Sequence, residues 1–296
     1  MITRRHMMQG TGAALAGAVL GSGFASGARA AGAGALAARL AGIEAQSGGR
    51  LGVAILDTAT GVRTGHRADE RFPMCSTFKL LAAGAILARV DAGRERLDRR
   101  VRFEASDLMA YAPVTKDHAG GTGMTLAELC AAAIAYSDNT AANLLLAALD
   151  GPAGLTAYAR TLGDPVTRLD RIEPDLNQAT PGDPRDVTTP AAMLADLHGL
   201  ALGDFLSPGS RGQLVRWLLD CRTGDARLRA GLPANWRVSD KTGSGDHGST
   251  NDVALIWPPG RAPILVSAYL TGAEAPPERR EATLAAVGRA IAARIA

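Results

Sequence analysis

Leu51-Gly52-Val53-Ala54-Ile55-Leu56-Asp57, followed by Thr58-Ala59-Thr60-Gly61 and then Val62–Arg67, is the stretch on which the fold turns. An apolar run of strand length, a Thr/Gly turn and a second extended run read as a β-hairpin. No strand candidate follows until Arg237–Gly243, Val253–Trp257 and Ile264–Leu270 near the other end of the chain. From Pro73 to about Trp217 the pattern is mostly helical and rich in alanine. Phe78–Val90 reads as a long apolar helix that ends near Gly93. Thr125-Leu126-Ala127-Glu128 is a capping box that opens another. Residues 33–46, with Leu36, Leu40 and Ile43 at helical spacing, and residues 278–295 supply a helix at each end. Strands at both ends with helices between them predict an α+β fold. Its antiparallel sheet of about five strands is built from both termini and flanked by helices. An all-helical lobe is inserted between the second and third strands, and the active site lies between the two. The expected boundaries are 31–72 with 218–296 for the α/β part and 73–217 for the helical part. The helical part contains a polar stretch from Asp164 to Pro190 that holds Pro165, Pro174, Pro181 and Pro184. A loop of that length inside a compact domain is usually functional.

Outward from this frame, the first 30 residues read as a removed export signal. Thr3-Arg4-Arg5 is a twin-arginine n-region, Gly10 to Ala25 is an apolar Gly/Ala-rich run, and Ala28-Arg29-Ala30 is an A-x-A-like cleavage site. The run is too short and glycine-rich for a membrane span, so no membrane association is expected once it is removed. Arg4, Arg5 and Arg29 account for the whole formal charge of +3, and the remainder of the chain is formally neutral. A basic surface for nucleic acid is therefore not expected. Cys75, Cys130 and Cys221 are an odd number without zinc-finger spacing, and one disulfide at most can form. The scattered histidines form no H-x-H or H-E-x-x-H, so neither a hydrolytic metal nor a cofactor is expected.

Four short motifs carry the chemistry. Ser76-Thr77-Phe78-Lys79 places a hydroxyl and an amine on one face at a helix start, so that the Lys79 amine is expected to reach the Ser76 hydroxyl. Free N–H groups there suit an attacking alkoxide and a nearby oxyanion. Serine is a weak nucleophile and needs a base. Lysines number three against 29 arginines, and Lys79 and Lys241 both fall inside motifs. Lysine can lose its proton where arginine cannot. Ser137-Asp138-Asn139 follows the apolar helix Leu126–Tyr136 and alone reads equally well as a helix stop and N-cap. Lys241-Thr242-Gly243 lies on a predicted strand, where glycine permits close approach of a ligand. Finally, Arg171-Ile172-Glu173-Pro174-Asp175-Leu176-Asn177 sets a carboxylate and an amide four residues apart, able to hold one water between them.

Together and in this order, the four motifs resemble the class A serine β-lactamases, over essentially the whole chain after residue 30. The resemblance implies hydrolysis of β-lactam antibiotics through a Ser76 acyl-enzyme. It implies an oxyanion hole from the N–H groups of Ser76 and Ser244, and Lys79 or Glu173 as the acylation base. Ser137 would pass a proton to the leaving nitrogen. Asn139 would hold the substrate's side-chain amide, Lys241 and Thr242 its carboxylate, and Tyr111 would stand at the rim. Gly243 lies within the same substrate-binding strand. Glu173 and Asn177 would hold the deacylating water, Arg171 and Asp186 would tie the neck of their loop, and Glu173-Pro174 would be cis. Where many members carry an arginine, this chain has Thr250; Arg227 is expected to reach behind Lys241 and Thr242 to the carboxylate instead, with Arg229 pointing away. The family's frequent disulfide partner of Cys130 is here Ala83, and the partner that some members give the cysteine before the nucleophile is here Gly245, so Cys75 is expected to be a free thiol. The implied protein is a monomer, periplasmic or secreted. Two alternatives share the short motifs: a D-alanyl-D-alanine peptidase or penicillin-binding protein, and a penicillin-sensing domain that binds without turnover.

Overall fold

The computed structural model describes residues 21–295. The expected export signal lies outside the described residues as far as residue 20. From Gly21 the backbone is already helical, so the helix expected over 33–46 is the end of a longer one, α1 (Gly21–Ser47). The chain continues through β1 (Arg50–Asp57), β2 (Val62–His66), β3 (Phe72–Pro73), α2 (Phe78–Asp91), β4 (Arg100–Val101), β5 (Met124–Thr125), α3 (Leu126–Ala135), α4 (Asn139–Ala148) and α5 (Gly151–Thr161). After a long loop come β6 (Val187–Thr188), α6 (Pro190–Ala201), α7 (Pro208–Leu219), β7 (Arg237–Ser244), β8 (Thr250–Trp257), β9 (Ile264–Thr271) and α8 (Pro277–Ile295).

The principal sheet has the order β2-β1-β9-β8-β7 and is antiparallel throughout. The expected α+β frame is the observed one: the N-terminal hairpin pairs through β1 with β9, and the helices lie between. Successive side chains of a strand point to opposite faces, and here both faces are covered. Val53, Ile55, Ala254, Ile256, Val266 and Ala268 pack under α1 and α8 with Leu40, Leu284 and Ile291. Their neighbours Leu56, Val253, Leu255, Leu265 and Tyr269 join Phe78, Ile86 and the rest of the helical segment in a second cluster. Gly52 belongs to this second face. A Cβ there would come within 2.3 Å of the Phe72 ring and 2.9 Å of Pro190, so the missing side chain lets β3 and α6 close on the sheet.

α2 runs through the middle of the helical segment with every residue from Phe78 to Leu87 buried. Gly93, at φ +67°, follows its end. The capping box at α3 forms as read: Glu128 N donates to Thr125 Oγ1 at 3.2 Å and Thr125 N to the Glu128 carboxylate at 2.7 Å. The two-residue pairs β3–β6 and β4–β5 carry too little sequence signal to be foreseen. Cys75, Cys130 and Cys221 are all buried and free. Among the described residues no helix is long and apolar enough to cross a membrane.

Candidate active site

The nucleophile candidate sits on a tight turn. β3 ends at Pro73, Cys75 takes a left-handed φ of +46°, and Cys75–Thr77 form one 3-10 turn that feeds directly into α2. Ser76 is almost covered, and its Oγ donates to Glu173 Oε1 at 3.3 Å. Lys79, one turn on, is completely buried. Its Nζ lies 2.9 Å from the same Oε1 and donates to Asn139 Oδ1 and the Ser137 carbonyl, each at 2.8 Å. The expected Lys79–Ser76 hydrogen bond is therefore not the one observed. The spacing brings the two groups to one face, but a carboxylate from 97 residues away stands as acceptor for both. A carboxylate is a stronger acceptor than a hydroxyl. Burial holds the Lys79 ammonium below the usual lysine range, although Glu173 opposes the shift.

Glu173 is itself held on three sides. Its N–H donates to Asn143 Oδ1 at 2.9 Å, and Asn143 Nδ2 donates back to its carbonyl at 3.0 Å. Asn177 Nδ2 donates to Glu173 Oε2. The amide and carboxylate thus touch directly, without the gap read from their spacing, while Asn177 Oδ1 is buried without a protein partner. The loop neck closes as expected: Arg171 Nε lies 2.6 Å from Asp186 Oδ2, and Asp186 Oδ1 accepts from the backbone of Asp170 and Arg171. The Asp186 carbonyl accepts from Met74 N at 2.9 Å, fastening the neck to the nucleophile turn. The Glu173-Pro174 peptide is cis.

Ser137-Asp138-Asn139 forms the N-cap of α4 and also borders the cleft. Asp138 caps α4 by accepting from Ala141 N at 2.8 Å, and also accepts from Val114 N and from Thr115. That leaves Ser137, at φ +59°, and Asn139 facing the cleft. Ser137 Oγ lies 3.1 Å from Lys241 Nζ and 3.4 Å from Lys79 Nζ, a hydroxyl between two buried amines. Tyr111 is half exposed, and its carbonyl accepts from Asn139 N.

β7 forms the opposite wall. Lys241 is fully buried and also donates to the Thr242 carbonyl. Burial, reinforced by the charge of Lys79, brings its ammonium down to about 7. At Gly243 the close approach is made by the protein itself: a Cβ would meet the Met74 carbonyl at 2.8 Å and Thr77 Cγ2 at 3.2 Å. Gly245 repeats the device, since a Cβ there would lie 2.6 Å from the Asn177 carbonyl and 2.7 Å from Cys75 Sγ. Asp246 N donates to that carbonyl at 2.9 Å, latching the end of β7 to the loop. Burial pushes the Cys75 thiol up to about 12, so it stays protonated beside Ser76.

Arg227 is buried behind β7, where Nη1 donates to the Gly243 and Asn251 carbonyls at 2.8 and 2.7 Å and Nη2 to Ser244 Oγ at 2.7 Å. Its contacts on the substrate strand are therefore the Gly243 carbonyl and the Ser244 hydroxyl, one and two positions beyond the pair expected. Thr242 Oγ1 instead meets Thr223 Oγ1 at 2.5 Å. Arg229 departs from expectation. Leu228–Gly231 is a 3-10 turn and not extended, and Arg229 Nη2 pairs with buried Asp240 Oδ1 at 2.6 Å. It is a structural cation, held by the Asp240 carboxylate. Asn143 and Thr223 are the positions in contact with site residues that the motifs did not single out. Only Asn143 had a signal, standing four residues after Asn139 and so on the same helix face.

The geometry unites a serine hydroxyl with a buried carboxylate, and two buried amines with a second hydroxyl. Among the described residues no group of His, Cys, Asp and Glu could hold a metal ion. A family model described as the β-lactamase enzyme family matches residues 35–295. The chain is 53% identical over 253 residues to β-lactamase CTX-M-8 of Citrobacter amalonaticus, covering 86% of this chain and 87% of that protein. It is 48% identical over 268 residues to β-lactamase OXY-1 of Klebsiella oxytoca, covering 90% and 92%. Among solved structures, an ancestral class A β-lactamase superimposes with a TM-score of 0.85 at 66% identity, covering 86% of this chain and 98% of that one. A protein from Rhodopseudomonas palustris described as a putative class A β-lactamase, PenP, gives 0.86 at 60% identity, covering 88% and 99%.

Proposed function

The chain belongs to the β-lactamase enzyme family and is a class A serine β-lactamase, and from that premise we propose the following roles for its residues. Glu173 is the base of both half-reactions. The observation that carries this reading is the shared oxygen: Glu173 Oε1 accepts from Ser76 Oγ and lies against Lys79 Nζ. Ser76 attacks the lactam carbonyl and gives its proton to Glu173, while Lys79 offsets the carboxylate charge. The N–H groups of Ser76 and Ser244 receive the oxyanion. As the C–N bond breaks, Ser137 passes its proton to the nitrogen and is resupplied by Lys79, which takes up the proton left on Glu173, so the carboxylate is free again before deacylation. The product of this step is an ester on Ser76. Asn177 Oδ1 and Glu173 then orient a water. Glu173 takes its proton, the ester is cleaved, and Ser76 regains its hydrogen.

Lys241, Thr242 and the Ser244 hydroxyl, with Arg227 behind it, receive the substrate carboxylate along β7. Gly243 keeps that strand tight against the Met74 turn, Asn139 takes the side-chain amide, and Tyr111 closes the rim. These groups are contributed by two lobes, 31–72 with 218–296 and 73–217. Residues 1–30 are read as a twin-arginine export signal, giving a monomeric periplasmic or secreted enzyme that needs no metal or cofactor.

Glu173→Ala tests the central role. Mixed with a penicillin, the variant should form the Ser76 ester more slowly, with Lys79 as the remaining base, and still accumulate protein heavier by one intact antibiotic, because release, which has no second base, is slowed by about 10²-fold or more, the usual worth of a general base. Turnover at the parent rate would remove Glu173 from the mechanism.

A further inference from the structure

The loop that carries Glu173 leaves α5 at Asp164. Asp164 Oδ1 accepts from Val166 N at 2.7 Å and Thr167 N at 3.0 Å, so this side chain builds the first turn of the loop. The chain returns from the loop into α6, and α6 carries Asp196. Both aspartates are buried, Asp196 at 1% exposure and Asp164 at 5%, and their carboxyl groups are in hydrogen-bonding contact. The Oδ2 atom of each is buried without a donor. Two ionised carboxylates in this position would repel and leave both oxygens unsatisfied. A single proton turns the contact into an O–H···O bond and satisfies both.

The surroundings do not supply a substitute donor. Arg160 on α5 is the neighbouring cation, but its Nη1 is used on the Asp164 and Thr167 carbonyls at 2.6 and 2.8 Å. Tyr158 on α5 and Tyr269 on β9 lie within range of the Asp196 charge, but the Tyr158 hydroxyl makes no hydrogen bond to either carboxylate and the Tyr269 hydroxyl is bound to Thr77. Asp91, at the end of α2 and near Tyr158, is occupied by Ser207 and Ser210.

We propose that Asp164 and Asp196 share one proton, and that this shared proton is a positioning device for Glu173. It joins the point where the loop leaves the helical lobe to the helix through which it returns. From there the two arms are zipped toward the site. Thr167 Oγ1 meets Thr188 Oγ1 at 2.7 Å, Arg168 N donates to the Val187 carbonyl at 3.0 Å, and the Arg171–Asp186 pair follows, two residues from Glu173. Burial, with the charge of Asp164 beside it, raises the Asp196 carboxyl to about 8. The pair therefore keeps its proton at neutral pH and loses it in mild alkali, when a second negative charge opens the root of the loop.

Asp196→Asn tests this, because an amide donates to Asp164 at every pH. The sign follows from linkage: unfolded aspartate releases its proton near 4 and folded Asp196 near 8, so the parent loses stability as pH rises between those values and none further above. The melting temperature of Asp196→Asn relative to the parent should climb by several degrees from pH 5 to pH 8 and then level. Asp196→Thr, which also keeps a donor without a charge, should show the same climb. In the second arm, the acyl-enzyme is formed with a penicillin and its decay followed by mass spectrometry from pH 6 to 9.5. Decay in the parent should slow above pH 8 relative to Asp196→Asn by roughly two- to thirtyfold, the usual span of such indirect coupling. A melting difference that does not change with pH would overturn the shared proton. A climbing difference with identical decay profiles would overturn the positioning role. The decay arm rests on the reading of Glu173 as deacylating base; the melting arm does not, so failure of that reading is told apart by Glu173→Ala.

Discussion

Lys241 stands fully buried between the Ser137 hydroxyl and the carbonyl of Thr242, with the Lys79 ammonium nearby. An amine in that setting is charged only below about 7. If it receives the substrate carboxylate, the free enzyme should lose kcat/KM as pH rises through that value, chiefly through KM, because kcat/KM reports the free enzyme. Lys241→Arg keeps its charge throughout the accessible range. It should have a lower ceiling but no fall near 7, and an alkaline limb unchanged from the parent would assign that limb to another group. For stability the sign is reversed. The unfolded lysine holds its proton to about 10.4, so burying Lys241 costs most below 7 and progressively less above it. That Lys79 and Lys241 are set apart from surface cations was legible, since a chain that uses arginine almost everywhere else keeps lysine in two motifs, and the structure brings both to Ser137. The partner of Lys79 was not: i, i+3 spacing fixes reach, but the acceptor that wins comes from a loop distant in sequence.

α4 and the 164–190 loop meet through one side chain. Asn143 makes two hydrogen bonds to the backbone of Glu173, so the helix that presents Asn139 to the cleft also sets the height of the carboxylate. Asn143→Ala removes both bonds and leaves a part-buried N–H and carbonyl without partners, a loss of roughly 1–3 kcal/mol in stability. The chemical cost should be larger and fall on both half-reactions, since Glu173 serves each. A displacement of about 1 Å at a catalytic group costs on the order of 10²-fold, so decay of the acyl-enzyme should slow by roughly 10- to 100-fold. Stopped-flow measurement of burst and steady-state rates checks this; an unslowed burst would remove Glu173 from acylation, and an unslowed steady state would show that Asn143 does not set the carboxylate. At this scale the sequence was readable wherever periodicity or capping speaks, as at α2, α3 and the five long strands. It was silent on β3–β6, the latch of Asp246 on Asn177 and the Asp164–Asp196 contact. Each of these rests on two segments meeting in space, and neither segment announces the other.

The whole molecule is closed by its ends. β1 pairs with β9, and the face they share is covered by α1 and α8, so one layer of the protein is assembled from the first and last parts of the chain. The arrangement was inferable because apolar strand patterns occur only at the two ends. How far the N-terminal helix contributes was not, since a Gly/Ala-rich run has no periodicity to read. Burial decides it: among the described side chains, those that α1 buries in this layer are Leu36 and Leu40, with Ile43 packed beside them. If residues 1–30 are an export signal, a chain beginning at Ala31 keeps all three and should match the full-length protein in melting temperature and kcat. A chain beginning at Ala41 loses Leu36 and Leu40, and each buried leucine removed should cost roughly 2–5 kcal/mol. Two such losses approach the whole stability of an ordinary domain, about 5–15 kcal/mol. That shorter chain should therefore melt far lower or fail to fold, although every catalytic side chain is still present. Leu40→Ala in the chain from Ala31 is the graded version, expected to lower the melting temperature by roughly 4–20 °C while leaving kcat within about twofold at a temperature where both are folded. Were the chain from Ala41 to melt like the chain from Ala31, the sheet would not depend on α1, and its outer face would have to be held by α8 alone.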